Sequence, residues 1–232
     1  EKNRLLKQEM TNNIAHELRT PVSSIRGYIE TLLEQPHITP DKQHFFLERT
    51  HSQIVRLSDL IRDIALITKT EEASELFDKE QVNVHNTLQE VINDLHSPIV
   101  AHGINVKNEI NPQTVIEGNK TLVYAIFRNL IENSINYAGD HISIGVNNYM
   151  EDKEFYYFSY YDTGQGIEEN HLNRIFERFY RVCEGRSRQN GGSGLGLSIV
   201  KNAVLFHKGD ISAKNRKDGG LEFLFSLKKT LF

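Results

Sequence analysis

Apolar residues along the first third of the chain recur at helical spacing. Ile14, Leu18, Val22, Ile25, Ile29 and Leu32 step by 4, 4, 3, 4 and 3 residues, the heptad-like stripe of a helix that packs on other helices. The segment QPHITPDKQ interrupts this rhythm, with Thr39 a candidate N-cap ahead of Pro40 at the first helical position. Phe46, Thr50, Ile54, Leu57, Ile61 and Ile64 then repeat the same stepping. Residues 1–72 are therefore expected to form an antiparallel helical hairpin. Two helices cannot cover both stripes together with the flanking Leu33, Phe45 and Leu60, so a four-helix bundle completed by dimerisation is expected. Packing of the hairpin on the rest of the chain is the alternative.

After the acidic stretch TEEASELFDKE, with residues 73–80 read as a linker, the rhythm changes. The alternating runs INVKNEI, HISIGV, FYYFSYYD and LEFLFSL predict strands, and helical patterns lie at about 85–101, 120–138, 169–179 and 195–207. Strands mixed with helices and closing on a strand predict an α/β sandwich over residues 81–232, a sheet covered on one face. The fold class expected is thus multidomain, α followed by α/β.

Composition narrows the functional classes. At 232 residues, 38% hydrophobic and 25% charged, the chain is of the soluble globular kind and long enough for two domains. Residues 1–75 hold 10 Lys/Arg against 12 Asp/Glu and the remainder 17 against 19, so neither part is a nucleic-acid binder by charge. The single Cys183 rules out an internal disulfide and suits a reducing compartment. No run of eighteen apolar residues occurs, and EKNRLLKQEM lacks a charged-then-apolar leader, so neither a membrane span nor an export signal is expected in this stretch.

Two constellations carry candidate chemistry. With Ile14 at zero on a wheel of about 100° per residue, the stripe lies between about 0° and 80°, while His16 falls near 200°, Thr20 near 240° and Glu17 near 300°. His16 is thus expected to face water with Thr20 beside it. Pro21 removes a backbone donor and crowds the carbonyl of Glu17, so a bend across that turn is expected. HELRT places Thr20 where a helical zinc motif needs a second histidine, which excludes that reading. What remains is nucleophilic chemistry by an exposed imidazole with a carboxylate at hand to take the ring proton.

The second constellation lies in NKTLVYAIFRNLIENSINYA, where Asn129, Asn133, Asn136 and Tyr137 share one stripe opposite Val123, Phe127, Ile131 and Ile135. Asparagine is a poor helix former, and a solvated face is better served by Lys, Glu or Gln, so this stripe suggests ligation of a hard cation or of phosphate oxygens. YYDTGQGIEE ends a strand on Asp162 and adds Gly164 and Gly166, a turn in which a carboxylate can accept an exocyclic amine. NGGSGLGLSIV places Gly191, Gly192, Gly194 and Gly196 just ahead of a helix, whose amino terminus attracts phosphate. Neither a dinucleotide fingerprint nor a P-loop is present. Residues 174–188 hold five Arg against two Glu, a basic stretch between the glycine loops that reads as part of a polyphosphate clamp.

Taken in order, these motifs resemble those of bacterial two-component sensor histidine kinases. AHELRTP resembles the phosphoacceptor box, NLIENSINYA the asparagine box, DTGQG and GGSGLGLSIVK the two glycine boxes, and FERFYR the phenylalanine-rich box. The resemblance implies a dimeric bundle followed by a Bergerat-type ATP-binding fold. By it, His16 takes the γ-phosphoryl group of ATP, Glu17 acts as base and Thr20 positions water for dephosphorylation of the partner. It further implies that Asn133 ligates Mg²⁺ with Asn129 nearby on the phosphates, and that Tyr137 stacks near an adenine whose amino group Asp162 accepts. Gly164, Gly166 and Ile167 would shape that turn, Tyr180 and Arg181 would close on the ribose and phosphates, and Ser193, Gly194, Leu195, Gly196 and Leu197 would offer backbone donors. Asn136 stands where many members have Lys or Arg, which implies a phosphate contact that is weaker or moved to the arginines near 181. The implied partners are a second copy of the chain and the receiver domain of a response regulator, with membrane attachment only through segments outside this sequence and the present part on the cytoplasmic side. A degenerate nucleotide-binding scaffold and an ATPase that does not phosphorylate itself are the competing readings; intact His16, Asn133 and Asp162 argue against the first and the HELRTP helix against the second.

Overall fold

The computed structural model describes residues 2–35, 37–72, 77–182 and 192–230. The chain divides into two compact units, Glu1–Ala65 and Leu66–Phe232. In the first, helix α1 (Lys2–Glu34) and helix α2 (Pro40–Glu72) are joined by a short turn; the last residues of α2 belong to the second unit. Tyr28 lies 5.9 Å from the Phe46 ring near the turn, and Arg56 reaches Glu17 at 3.9 Å further along, which makes the pair antiparallel. Helix α1 continues without a break in assignment through Pro21, which is itself buried. Hydroxyls back-bond to the helix on either side of it, Thr20 to the His16 carbonyl at 3.4 Å and Ser24 to the Thr20 carbonyl at 3.1 Å.

Within one chain the two stripes stay only partly covered. Val22, Ile54 and Ile61 on the stripes, and Leu33, Phe45, Leu47 and Val55 beside them, are exposed. Leu60, expected among the uncovered flanking residues, is instead buried, as is Thr50, whose hydroxyl has no partner among the described residues.

The second unit contains strand β1 (Glu80–Asn83), helices α3 (Val84–Asp94) and α4 (His96–Ala101), strands β2 (Asn105–Glu109) and β3 (Val115–Gly118), helix α5 (Lys120–Tyr137), strands β4 (Ser143–Glu151) and β5 (Phe155–Asp162), helices α6 (Glu169–Leu172) and α7 (Gly196–Phe206), and strands β6 (Ile211–Asn215) and β7 (Leu221–Lys228). Five strands form one mixed sheet in the order β2-β4-β5-β7-β6, parallel only between β2 and β4, and β1 pairs with β3 in a small antiparallel ribbon. Alternation sends Ile144, Val146, Phe158, Tyr160, Phe223 and Phe225 into a core shared with Val123, Phe127 and Ile131 of α5 and with Val84, Leu88 and Val91 of α3. Phe225 stacks on Phe158 at 5.2 Å and meets Phe127 edge-on at 6.2 Å. Asparagines cap the two longest helices of this unit that enter from strands: Asn83 accepts from the Asn86 amide at 2.9 Å and Asn119 from the Leu122 amide at 3.1 Å.

Three sequence expectations change. The helix read over 85–101 is two helices, because Leu95 leaves helical geometry (φ −94°, ψ 12°) ahead of Pro98, which has no amide hydrogen to carry the ladder onward. The helix read over 169–179 shrinks to Glu169–Leu172 followed by successive turns, ending on Phe179 at a left-handed φ of 61° that a helix cannot accommodate. Strands β1, β3 and β6, four to five residues each, carried too little alternation to be read. Phe77, inside the stretch read as linker, is buried with its ring 5.3 Å from Phe206 and the Lys69 ammonium 4.4 Å over its face.

A buried histidine joins two helices of this unit. His207, just past the end of α7, donates from Nδ1 to the Ala203 carbonyl (2.7 Å) and accepts at Nε2 from the Asn119 amide (3.1 Å) at the start of α5. Burial pushes its pKa from 6.5 down to about 4, despite the opposing bond to Ala203. The unfolded chain therefore takes up this proton first. The stabilisation is fully present above the unfolded value near 6.5 and drains away as pH falls toward about 4. Denaturant unfolding of the second unit is expected to lose about 3 kcal/mol over that interval through this residue, with the corresponding slope missing in a His207→Met chain.

Candidate functional site

The first candidate centre sits on α1. His16 and Thr20 are exposed and Glu17 is half-buried, as the helical wheel anticipates. Thr20 spends its hydroxyl proton on the His16 carbonyl rather than on the ring, and Glu17 faces Arg56 of α2 at 3.9 Å. The imidazole is thus presented on a rigid helical rail, while the neighbouring carboxylate is oriented by an arginine from the other helix.

The second lies where α5, the end of β5 and the start of α7 converge. Asp162 is buried, at 3% exposure, yet none of its oxygens is left bare. Oδ1 accepts from the amides of Gly164 (3.0 Å) and Leu221 (3.4 Å), and Oδ2 accepts from the Ser134 hydroxyl at 3.0 Å. The Tyr160 hydroxyl lies 2.9 Å from both Ser134 Oγ and the Leu130 carbonyl; full burial raises its pKa well above the usual 10, so it stays a donor. Arg216 donates to the Asp162 carbonyl at 3.1 Å while lying 4.3 Å over the Tyr161 ring. Three donors thus hold this carboxylate in one orientation, with Tyr160 behind Ser134 and Arg216 on the backbone carbonyl of the same residue.

The glycines here answer to close approach. A Cβ on Gly164 would strike the Ala138 carbonyl, and one on Gly166 would strike the side chain of Asn215. Asn215 takes the place of a paired strand for that loop, accepting from the Ile167 amide at 3.0 Å and donating to its carbonyl at 2.7 Å.

On α5, Asn129, Asn133 and Asn136 are half-buried on one side and Tyr137 is 45% exposed. Asn129 donates from Nδ2 to the Ala125 carbonyl at 2.8 Å, which frees its Oδ1 to point toward Gly196, where an added Cβ would come within 2.7 Å of it. The Asn133 side chain makes no hydrogen bond among the described residues, the condition of an amide oxygen available to a ligand. Among the described residues no cluster of three or more His, Cys, Asp or Glu is placed to hold a metal. The Asn133 amide oxygen is a hard donor of the kind that suits a divalent ion keeping most of its shell for water and phosphate.

Helix α7 begins at Gly196 with no side-chain cap, and Ser193 Oγ accepts from the Leu195 amide at 3.2 Å. Leu195 is buried and Leu197 packs against the core, so the two leucines anchor the turn from within. Gly194 adopts φ 73°, and its carbonyl accepts from the Phe179 amide at 2.8 Å. Arg181 donates to the Gly192 carbonyl. Tyr180 packs toward the core with its hydroxyl on His171. Gly191 lies outside the described residues.

Sequence reading missed Ser134, Tyr160, Asn215 and Arg216. Ser134 carried one signal, a polar residue on the sheet-facing side of α5 between Ile131 and Ile135. Asn215 and Arg216 carried none, because the strand that one ends and the other follows was itself not read.

Residues 118–231 match the family model described as histidine kinase-, DNA gyrase B- and HSP90-like ATPase, and residues 6–73 match the His Kinase A (phospho-acceptor) domain. The chain belongs to the sensor histidine kinases. Among the relatives of this histidine kinase chain are the phosphate regulon sensor protein PhoR of Pseudomonas aeruginosa, 30% identical over 94% of the chain and 49% of that protein, and the sensor histidine kinase WalK of Bacillus subtilis, 31% identical over 95% and 36%. The chain spans about half the length, or less, of these relatives. The catalytic domain of histidine kinase ThkA superposes with a TM-score of 0.58 at 25% identity, covering 66% of this chain and 97% of that one. Histidine kinase ThkA solved with response regulator protein TrrA aligns over 99% of this chain and 64% of its own, with a TM-score of 0.76 at 24% identity, a likeness of fold. No helix among the described residues is long and apolar enough to cross a membrane.

Proposed function

We propose that this chain is the ATP-dependent catalytic region of a sensor histidine kinase, which phosphorylates His16 and passes the phosphoryl group to an aspartate of a response-regulator receiver domain. The observation that carries the reading is the presence in one chain of an exposed imidazole on α1 and, in the second unit, of a buried, fully oriented Asp162 beside an uncapped, glycine-led helix start. Residues 1–72 would serve as the dimerisation and phosphotransfer hairpin, 73–80 as linker and 81–232 as the nucleotide-binding domain. The exposed Val22, Phe45, Ile54 and Ile61 support a homodimer in which a second hairpin covers them.

In this scheme Asp162 accepts the adenine amino group, Gly164, Gly166 and Ile167 shape the adenine turn, and Tyr137 flanks the ring. Asn129, Asn133 and Asn136 face the phosphates. Asn133 would hold Mg²⁺, which when bound neutralises charge on the transferring phosphoryl group. Backbone donors from Ser193 to Leu197 receive phosphate oxygens, and Tyr180 and Arg181 complete the wall. An imidazole nitrogen of His16 attacks the γ-phosphorus in line, the bond to the bridging oxygen breaks toward ADP, and Glu17 takes the ring proton. Thr20 orients water when the same domain dephosphorylates its response-regulator partner. The present part works on the cytoplasmic side of a membrane sensor whose anchoring segments lie elsewhere in the protein.

The test is incubation of the chain with labelled Mg-ATP. An acid-labile, alkali-stable phosphate that maps by mass spectrometry to the peptide containing His16 is expected. Uptake of nucleotide without any such phosphate would favour the scaffold reading.

A further inference from the structure

Tyr180 is held from two sides. The hydroxyl donates to His171 Nδ1, and the ring centroids of the two residues are 6.0 Å apart. His171 Nε2 is turned toward Glu168 at 3.9 Å, which leaves Nδ1 as the acceptor. Over the other face of the phenol ring lies the Arg174 guanidinium, 4.2 Å from its centroid and steadied by Glu177 at 3.4 Å. His171 and Tyr180 are both half-buried, so their bond is partly shielded from competing water.

Tyr180 also sits between two cross-links. The preceding residue, Phe179, gives its amide to the Gly194 carbonyl at 2.8 Å, and the following one, Arg181, gives its guanidinium to the Gly192 carbonyl. The first cross-link is geometrically demanding, for Phe179 has φ 61° and Gly194 φ 73°. Any rotation of Tyr180 about its backbone would shift Arg181 and, through Gly192 and Gly194, the turn that opens α7.

We infer that His171 is a positioning residue for nucleotide phosphates: its bond to Tyr180 fixes Arg181 and the Gly192–Gly194 turn in the arrangement that receives them. The inference rests on the proposed placement of phosphates at Arg181 and the start of α7. Losing the bond leaves adenine recognition at Asp162 intact, since no hydrogen bond to that carboxylate passes through residues 171–181. Its signature is therefore a weakened hold on the phosphates alone.

The experiment compares the full chain with His171→Phe, Tyr180→Phe, the double variant and His171→Asn, whose side-chain amide can stand in for Nδ1. Calorimetric affinities are measured for the non-hydrolysable triphosphate AMP-PNP with Mg²⁺ and, by displacement, for adenosine. Each of the two Phe variants is expected to weaken AMP-PNP about fivefold and adenosine less than twofold, as loss of one partly shielded hydrogen bond should. The double variant is expected to match either single one, because both remove the same interaction. His171→Asn is expected to bind as the parent does. Unchanged AMP-PNP affinity in His171→Phe, equal loss for adenosine, or losses that multiply in the double variant would each overturn the inference. Failure of the parent chain to take up either ligand would instead overturn the nucleotide-site reading beneath it.

Discussion

A His16→Gln chain is expected to bind Mg-ATP as the parent does and to incorporate no phosphate, a loss of about a thousandfold or more in labelling rate. Glutamine matches the imidazole in reach and polarity but has no basic nitrogen lone pair to attack phosphorus. His16 is exposed, and its ring has no hydrogen-bond partner among the described residues. The exchange should therefore change stability by less than about 0.5 kcal/mol. Labelling, nucleotide titration and thermal melting on one preparation separate the outcomes. Residual phosphate at the parent level would move the acceptor away from His16, and a lowered melting temperature would mean that the ring has a structural duty that its exposure does not suggest.

Asp162→Asn should strike the other half of the reaction, weakening ATP binding about a hundredfold or more. An asparagine here has one oxygen to serve three donors. If that oxygen stays with the amides of Gly164 and Leu221, the new NH₂ group faces Ser134, whose hydroxyl can turn and accept it. The fold then survives at a cost of about 1–2 kcal/mol, but the atom offered to the purine is a donor where the exocyclic amine is also a donor. The diagnostic is nucleotide choice. The parent should prefer ATP to inosine triphosphate, and the variant should lose or invert that preference. An Asp162→Asn chain that retains both affinity and preference would place the base elsewhere.

The two candidate sites differed in how far the amino-acid order exposed them. The asparagine stripe was legible because α5 is eighteen residues of regular helix, so a constant angular step puts Asn129, Asn133 and Tyr137 together without any knowledge of the sheet. The glycine turns were legible where the requirement is local, as with the left-handed backbone of Gly194; the room that Gly164 needs beside the Ala138 carbonyl comes from packing against a distant segment. What holds Asp162 still was not legible. Ser134 is 28 positions away and Arg216 is 54; the first reaches the residue through the packing of α5 on the sheet and the second through the pairing of strands, not through any spacing that a helix or turn repeats. The same holds for Asn215, 48 positions from Ile167 at the end of the unread β6. The break at Leu95 was announced by Pro98, and passed over because the apolar period continues across it. Left-handed Phe179 had no announcement, since an aromatic residue in that conformation is sustained by its bond to Gly194.

The tie between His207 and Asn119 has a mechanical meaning for the whole nucleotide-facing region. Helix α7 leaves the glycine turn and travels eleven residues, about 16 Å, before its end is riveted to the beginning of α5, the helix that bears the asparagines. Two rods fastened at one heel pivot together, so slack at a single imidazole would be magnified at the toes, where the proposed scheme needs amide oxygens and backbone donors to meet one triphosphate.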